Sequence, residues 1–484
     1  MTNEIKVLLT FFVAFFSTLF VMPNMSHIAN RIGLVDRPNE RKMHKVPKPL
    51  VGGIGIVISA TFGSLLFVPL EGFRGFFSGL ALLLLVGFFD DFLEIGHRKK
   101  FLAQIIATTL LMYFSKVQLA NFGNLLGLGN IVVPEISWVI WIVTIFSVVG
   151  VTNALNMIDG LDGLAGGVSF VAFLSFAILA SLSGNESLML LNLAFTGAVL
   201  GFLRYNWAPS ILFMGDAGSL CLGFALSFMA LSLTQTVGAI VSPVVVLIVL
   251  AVPIADTLTV MIKRIVAGNS PFLPDRTHLH HTLIFAGIDS RNAVGIIVLL
   301  CLIFCVIGVL AVVFQVPDPL LFSVFLFYFV LNFFSTRLVV KFVELLEAFK
   351  RQEKPQNCPK VLYSLLQKMN KSRVFRGATR YPVDFAVTCS NYSFDDALTG
   401  NMVNISKTGF LANIDGLGLI CKECVVSIVF PEATGAELLE FPVEHLWMSE
   451  VDAKQFHGFR FINLDEKQRN TLSILLEQLC VSEQ

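Results

Sequence analysis

The sequence predicts a polytopic α-helical membrane protein of about 11 transmembrane helices, followed by a small antiparallel β-barrel plus helix at its C-terminal end. Three observations carry that reading. Of 484 residues, 55% are hydrophobic and only 14% are charged, against roughly 25% charged in soluble domains, and the mean hydropathy is +0.77. Apolar runs close to the roughly 20 residues that a helix needs to cross a bilayer recur up to position 340. Beyond position 372 they give way to short alternating stretches separated by turn residues, the period-2 pattern of strands. The formal net charge is zero, so no bulk preference for a nucleic-acid polymer follows.

Eleven candidate spans lie near 5–23, 51–69, 75–89, 101–117, 137–153, 164–182, 187–203, 217–234, 237–262, 293–314 and 318–340. The first lacks a small-residue cleavage site and reads as a retained span. Basic residues cluster in alternate loops: Arg31, Arg37, Arg41, Lys42, Lys45 and Lys48 in 24–50; Arg98, Lys99 and Lys100 in 90–100; Lys263, Arg264, Arg276 and Arg291 in 263–292. By the positive-inside rule those loops are cytoplasmic, with the N-terminus outside and the C-terminus inside. The other loops hold little beyond Arg74 and Lys116. Every polar motif of the membrane half, "RPNERKMH", "DDFLEIGHRKK", "NMIDGLDG", "FMGDAGS" and "PDRTHLHH", falls on that one face. A transporter would instead spread acids through mid-membrane helices.

Asp90 and Asp91 end the third span, followed by Glu94. Adjacent helical residues point about 100° apart, so one can bind metal while the other handles a proton or a phosphate; a solvated helix end is the alternative. Asn156 and Asp159 are three apart and share a helical face, with Asp162 just beyond. Gly160 and Gly163 let that backbone turn tightly. Asp216 precedes an apolar run, where it is either an N-cap or a hard oxygen ligand beside a helix N-terminus that favours phosphate. Oxygen ligands without thiolates favour Mg²⁺ or Mn²⁺ over zinc. Asp275, Arg276, His278, His280 and His281 can grip a diphosphate; zinc binding and a merely solvated loop stay open. Asp256, inside a span, is a functional candidate or a hydrogen-bond partner of a neighbouring helix. The eight Cys form no disulfide pattern, and the lone Cys421/Cys424 pair lacks a second pair of zinc ligands.

In their order, "DRPNERKMHKVPKPLVGG", "DDFLEIGHRKKFLAQ", "NALNMIDGLDGLAGG", "FMGDAGSLCLGF" and "PDRTHLHHTL" resemble the polyprenyl-phosphate N-acetylhexosamine-1-phosphate transferase family over about residues 1–340. The resemblance implies Mg²⁺-dependent phosphoryl transfer from a UDP-N-acetylhexosamine to undecaprenyl phosphate, with UMP leaving. It implies catalytic roles for Asp90, Asp91, Asn156 and Asp159, and metal binding by Asp91, Asp159 and Asp216. It places substrate at Lys100, Gln104, Asp256, Arg276, His278, His280 and His281. Glu94 departs from the pattern, since relatives often have Asp there. The His-x-His-His spacing favours the GlcNAc-1-phosphate branch over the muramyl-pentapeptide branch, which tends to have three consecutive His. A catalytically silent receptor would lack the acids, yet all are present.

Residues 341–371 form an amphipathic helical linker broken by "KPQNCPK". In 372–484, "RGATR" brings Arg376 and Arg380, and "NISKTG" brings Asn404, Ser406 and Gly409. Together with the barrel and closing helix they resemble a PilZ domain, which implies cyclic di-GMP at those five residues. The alternative is a barrel whose two Arg face lipid phosphates or the membrane domain. The resulting expectation is a multi-pass protein of the bacterial inner membrane that starts a lipid-linked cell-envelope glycan under cyclic di-GMP control. A homodimer is compatible with it.

Overall fold

A computed structural model describes residues 2–36, 46–93, 95–236, 238–268, 270, 278–350, 381–390, 398–406, 409–414, 423–429, 438–451 and 454–482. The chain divides into two compact units, Met1–Lys354 and Pro355–Gln484.

The first unit is helical: α1 (Asn3–Ile32), α2 (Gly52–Leu65), α3 (Arg74–Leu93), α4 (His97–Ser115), α5 (Ser137–Ile158), α6 (Leu164–Leu182), α7 (Glu186–Asn206), α8 (Gly215–Thr234), α9 (Pro243–Val249), α10 (Ala251–Val266), α11 (Leu279–Phe285), α12 (Ser290–Val313) and α13 (Asp318–Lys350). A short hairpin, β1 (Val35–Asp36) with β2 (Lys48–Pro49), joins α1 to α2. Each of the eleven expected spans falls on a helix or a helix pair. Among the described residues, eight helices are long and apolar enough to cross a bilayer, and the bent α9–α10 pair would make nine. The count of eleven is therefore not reached, and the sequence explains why. Helix α2 has only 14 residues. The first turn of α4 is His97, Arg98, Lys99 and Lys100, too polar for a hydrocarbon core. The α9–α10 pair bends by 80° at Leu250. Pro253 has no amide to offer Val249 O, and the Cys305 thiol takes that acceptor at 3.8 Å. Helix α13 runs on to Lys350, so the start of the expected linker continues the last span.

Helix α8 is the hub of this unit, with buried side chains along nearly its whole length. Small residues let its neighbours come close, as in membrane helix pairs generally. A Cβ on Gly87 of α3 would sit 2.3 Å from Ala217 Cα, and one on Gly223 of α8 would sit 2.6 Å from Thr152 Cα of α5. Further along the interface, Phe76 of α3 stacks on Phe228 of α8 with centroids 4.6 Å apart. These contacts hold the C-terminal ends of α3 and α5 beside the N-terminus of α8.

The second unit is a closed antiparallel barrel of β3 (Tyr381–Ser390), β4 (Leu398–Ser406), β5 (Gly409–Ile414), β6 (Glu423–Val429), β7 (Leu438–Val451) and β8 (Lys454–Phe461), in the order β3-β4-β5-β8-β7-β6. Alternation does the sorting: Phe410, Ala412 and Ile414 are buried while Leu411 and Asn413 are only partly so. Phe410 stacks on Phe459 inside, centroids 5.0 Å apart. The final helix, α14 (Glu466–Ser482), adds Leu472 and Leu475 to this core. Cys424 faces Cys389 with sulfurs 3.4 Å apart, so it is a core residue of the barrel; Cys421 lies outside the described residues.

Any side chain at Gly87 must push α3 away from the α8 backbone. Gly87→Val is expected to lower stability by about 1–3 kcal/mol, read as a lower unfolding temperature in detergent.

Candidate active site

Three helix ends meet at the polar face. Asp90 and Asp91 stand in the last turn of α3, Asn156 in the last turn of α5, and Asp216 in the first turn of α8. Lys100, from the first turn of α4, reaches between two of them. Its Nζ donates to Asp90 Oδ2 at 2.9 Å and to Asp216 Oδ2 at 2.5 Å. Asn156 Nδ2 donates to the other Asp216 oxygen at 3.1 Å and to Ser219 Oγ at 2.8 Å. Asp91 turns away from this group, as the helical offset between neighbours requires. It accepts the backbone N–H of Asp216 (2.7 Å) and of Ala217 (3.2 Å). The N-cap residue of α8, Met214, makes no side-chain cap, so a carboxylate from α3 caps α8 and meets the positive end of its dipole.

Asp159 follows the end of α5. Burial, together with the charges of Asp216 and Asp162, pushes its carboxyl up to about 7. The cluster sets Asp90, Asp91, Asp159 and Asp216 against one ammonium, Lys100. Surplus negative charge on hard oxygen atoms is the chemistry that suits Mg²⁺ or Mn²⁺. Among the described residues no three His, Cys, Asp or Glu side chains already converge as a ligand set.

Gln104, expected to touch substrate, is buried and accepts from Asn153 Nδ2 at 2.7 Å. Asn153 escaped the sequence reading, although "NALN" puts it one turn from Asn156 on the same face.

The His residues form a second group. His278 Nδ1 lies 2.8 Å from Asp256 Oδ2, and Asp256 Oδ1 accepts from Leu279 N at 2.8 Å. Asp256 thus orients His278 and holds the start of α11, the neighbour-helix role weighed for it above. His280 packs against Gly160: a Cβ there would lie 2.4 Å from His280 Nε2. Gly160 is required for that approach, which ties the His segment to the "DGLDG" loop. Burial pushes the His280 imidazole down to about 4, so it is neutral near pH 7. Glu94, Asp275 and Arg276 lie outside the described residues.

A third group was not singled out from sequence. Lys48 Nζ donates to Ser210 Oγ at 2.7 Å, lies 3.5 Å from Asp162 Oδ2, and sits 4.6 Å over the Phe213 ring. Ser210 N donates to the same Asp162 oxygen at 2.9 Å. Asn206 accepts from Gly163 N at 2.9 Å and donates to Leu212 O at 3.0 Å. These bonds join the loop carrying Asp159 to the segment leading into Asp216.

In the barrel, Ser406 Oγ donates to Gly409 O at 2.9 Å across the β4–β5 turn. A Cβ on Gly409 would collide with Phe459 O at 2.1 Å. Asn404 Oδ1 is buried with no hydrogen-bond partner among the described residues. Arg376 and Arg380 lie outside the described residues.

Two family models match the chain: glycosyl transferase family 4 over residues 73–234 and the PilZ domain over 370–478. An undecaprenyl-phosphate α-N-acetylglucosaminyl 1-phosphate transferase of Pasteurella multocida is 34% identical over 360 residues, covering 72% of this chain and 98% of the relative. That covers the relative almost end to end. The chain belongs to glycosyl transferase family 4. The Escherichia coli K12 relative of the same description is 33% identical over 345 residues, covering 70% of this chain and 92% of its own. The family 4 match takes in Asp90, Asp91, Lys100, Asn156, Asp159 and Asp216; Lys48, Asp256 and the His segment lie outside it. A C-terminal PilZ domain follows. The PilZ domain of YcgR from Escherichia coli, solved with c-di-GMP, aligns with 22% of this chain and 93% of its own at 13% identity and a TM-score of 0.20.

Lys48 and Asp162 act across two loops at once, so their substitutions are expected to be non-additive. A thermal-unfolding cycle of Lys48→Met, Asp162→Asn and the double variant should give a coupling of about 0.5–3 kcal/mol. Strict additivity would mean that the two side chains do not act as a unit.

Proposed function

We propose that this family 4 protein transfers N-acetylhexosamine-1-phosphate, GlcNAc-1-phosphate first of all, from a UDP-sugar to undecaprenyl phosphate. The reaction takes place at the cytoplasmic face of a bacterial inner membrane and starts a lipid-linked envelope glycan. The observation that carries this reading is Lys100 bridging Asp90 and Asp216, with Asn156 on the other Asp216 oxygen, at the ends of three apolar helices. Relatives named as undecaprenyl-phosphate GlcNAc-1-phosphate transferases support it, as does the basic character of the loops on that face.

An oxygen of the lipid phosphate attacks the sugar-side phosphorus. The bond from that phosphorus to the bridging oxygen breaks, and UMP leaves with the oxygen. One phosphoanhydride replaces another, so catalysis reduces to positioning and charge neutralisation. Lys100 already holds two anionic acceptors and can exchange a carboxylate for a phosphate oxygen. Asp91 holds α8 in place by accepting the amide N–H groups of Asp216 and Ala217, which keeps the Asp216 carboxylate beside Lys100. Asp159 and Asp216 are the residues that would hold Mg²⁺, which would supply positive charge to offset that of the diphosphate. Purified protein given undecaprenyl phosphate and UDP-GlcNAc should release UMP, and chelation should stop it. Asp216→Asn should remove most turnover while the protein stays folded; near-normal UMP release would remove Asp216 from the site.

Asp159 supplies a pH dependence. Its carboxyl is protonated below about 7 and must lose that proton to bind metal. Metal affinity is therefore expected to weaken as pH falls through 7, by up to about tenfold per pH unit for one displaced proton. Mn²⁺ binding followed by EPR at pH 6 and pH 8 measures this without turnover, and Asp159→Asn should flatten it.

The PilZ domain is proposed to bind cyclic di-GMP through Arg376, Arg380, Asn404, Ser406 and Gly409, and to change the transfer rate. Arg forks suit phosphate and guanine edges, and the orphaned Asn404 Oδ1 offers an acceptor for a ligand N–H. Coupling requires that the ligand favour one arrangement of the enzyme over another. Arg376→Ala in the full-length protein should abolish binding by calorimetry and leave ligand-free UMP release intact. Binding with an unchanged rate would make the domain a recruiting module rather than a regulator.

A further inference from the structure

The loop between α4 and α5 lies at the opposite end of these helices from the acids, since α4 carries Lys100 in its first turn and α5 carries Asn156 in its last. Residues 117–134, "VQLANFGNLLGLGNIVVP", contain no Asp, Glu, Lys, Arg or His. A run of 18 uncharged residues, rich in Leu, Val and Ile, is unusual for a loop that faces water. Leu128 is 90% exposed and Leu126 63% exposed. Exposed apolar groups this close together, outside any helix, call for a partner.

The geometry points to the bilayer itself. The loop is a braced hairpin: Phe122 N donates to Ile131 O, Ile131 N to Gly123 O, and Val133 N to Ala120 O, all within 3.0 Å. It is fastened to four helices. Leu119 N donates to Thr144 Oγ1 of α5 at 2.9 Å. Gln235, just past α8, accepts from Ala120 N and Asn121 N and donates to Asn121 O, at 3.0–3.1 Å. Asn124 N donates to Asp318 Oδ2 at the start of α13, and that oxygen also accepts from Ser242 Oγ, the N-cap of α9. Thr144 lies seven residues inside α5, about 10 Å along a helix of 1.5 Å rise per residue. The base of the hairpin therefore lies about two turns inside α5 and level with the end of α8, and the backbone groups named above are bonded, as an apolar surrounding demands. Its tip lies level with the first residue of α13. On α5 itself, Trp138, Ile142 and Phe146 are exposed at four-residue intervals, a lipid-facing stripe with Trp at the interface end.

We infer that the 119–133 hairpin is a membrane-inserted element that seats Leu126 and Leu128 in the leaflet opposite the acid site. It acts as an anchor fixing the depth of the α4–α5 pair, independently of the proposed reaction. The test places a nitroxide on Leu128→Cys in full-length protein reconstituted into phosphatidylcholine–phosphatidylglycerol vesicles. Cys358, Cys421 and Cys480 are replaced by Ser in the background; the other five thiols are buried. Leu126→Cys serves as a second site should the first misfold. Lipid-facing Leu310→Cys on α12 and Glu71→Cys in the exposed α2–α3 loop of the same face are the references. Collision of the label with oxygen is compared with collision with a water-soluble nickel chelate. The label at 128 is expected to match Leu310, with an oxygen-to-nickel ratio several-fold above that at Glu71. A ratio equal to that at Glu71 overturns the inference in favour of water. Low accessibility to both, with dipolar broadening between labels, overturns it in favour of a second copy of the chain.

Discussion

The N-terminus of α8 is the point on which the membrane unit depends. A helix end inside an apolar bundle exposes amide groups that no lipid can satisfy. Asp91 meets two of them, and it can do so because Gly87 and Ala217 bring α3 and α8 almost into backbone contact. The same approach brings Asp90 and Asp216 within reach of one lysine. Packing, capping and the candidate chemistry are thus one arrangement: replacing a hydrogen by a methyl group at Gly87 would disturb all three.

The electrostatics follow from that crowding. Carboxylates gathered at the end of an apolar bundle are costly, and at Asp159 burial first, then the charges of Asp216 and Asp162, raises the carboxyl. Lys100 pairs with both Asp90 and Asp216. Such a site is prepared for added positive charge or for exchange of carboxylate against phosphate on its lysine. It is poorly prepared for a neutral, apolar ligand. In the His group, His280 is neutral near pH 7 and His278 is held by Asp256.

Much of this was legible in the chain. Hydropathy placed an expected span on every long apolar helix, because a span's composition is set by lipid whatever its neighbours are, although α1 and α13 run on nine and ten residues past the expected ends. Alternation marked the barrel strands and an amphipathic pattern the closing helix for the same kind of reason: one face of each element is buried. The acids stood out because charge is costly where it occurs here. The span count is not confirmed where local chemistry cuts across composition: in the basic first turn of α4, in the short α2, and at the break before Pro253.

By itself, the sequence determined which residues are apolar, which are charged, and on which face of the bundle the charges gather; those are properties of residue type and spacing. Which charges meet was decided only by the tertiary structure. Lys100 bridging Asp90 and Asp216, Asp91 capping a helix 125 positions away, and Lys48 joining Asp162 to Ser210 are contacts between distant segments. No periodicity encodes such pairings, because they depend on how closely two backbones approach. That distance is set by the small residues between the helices, and by the absence of a Cβ at Gly87, Gly223 and Gly160.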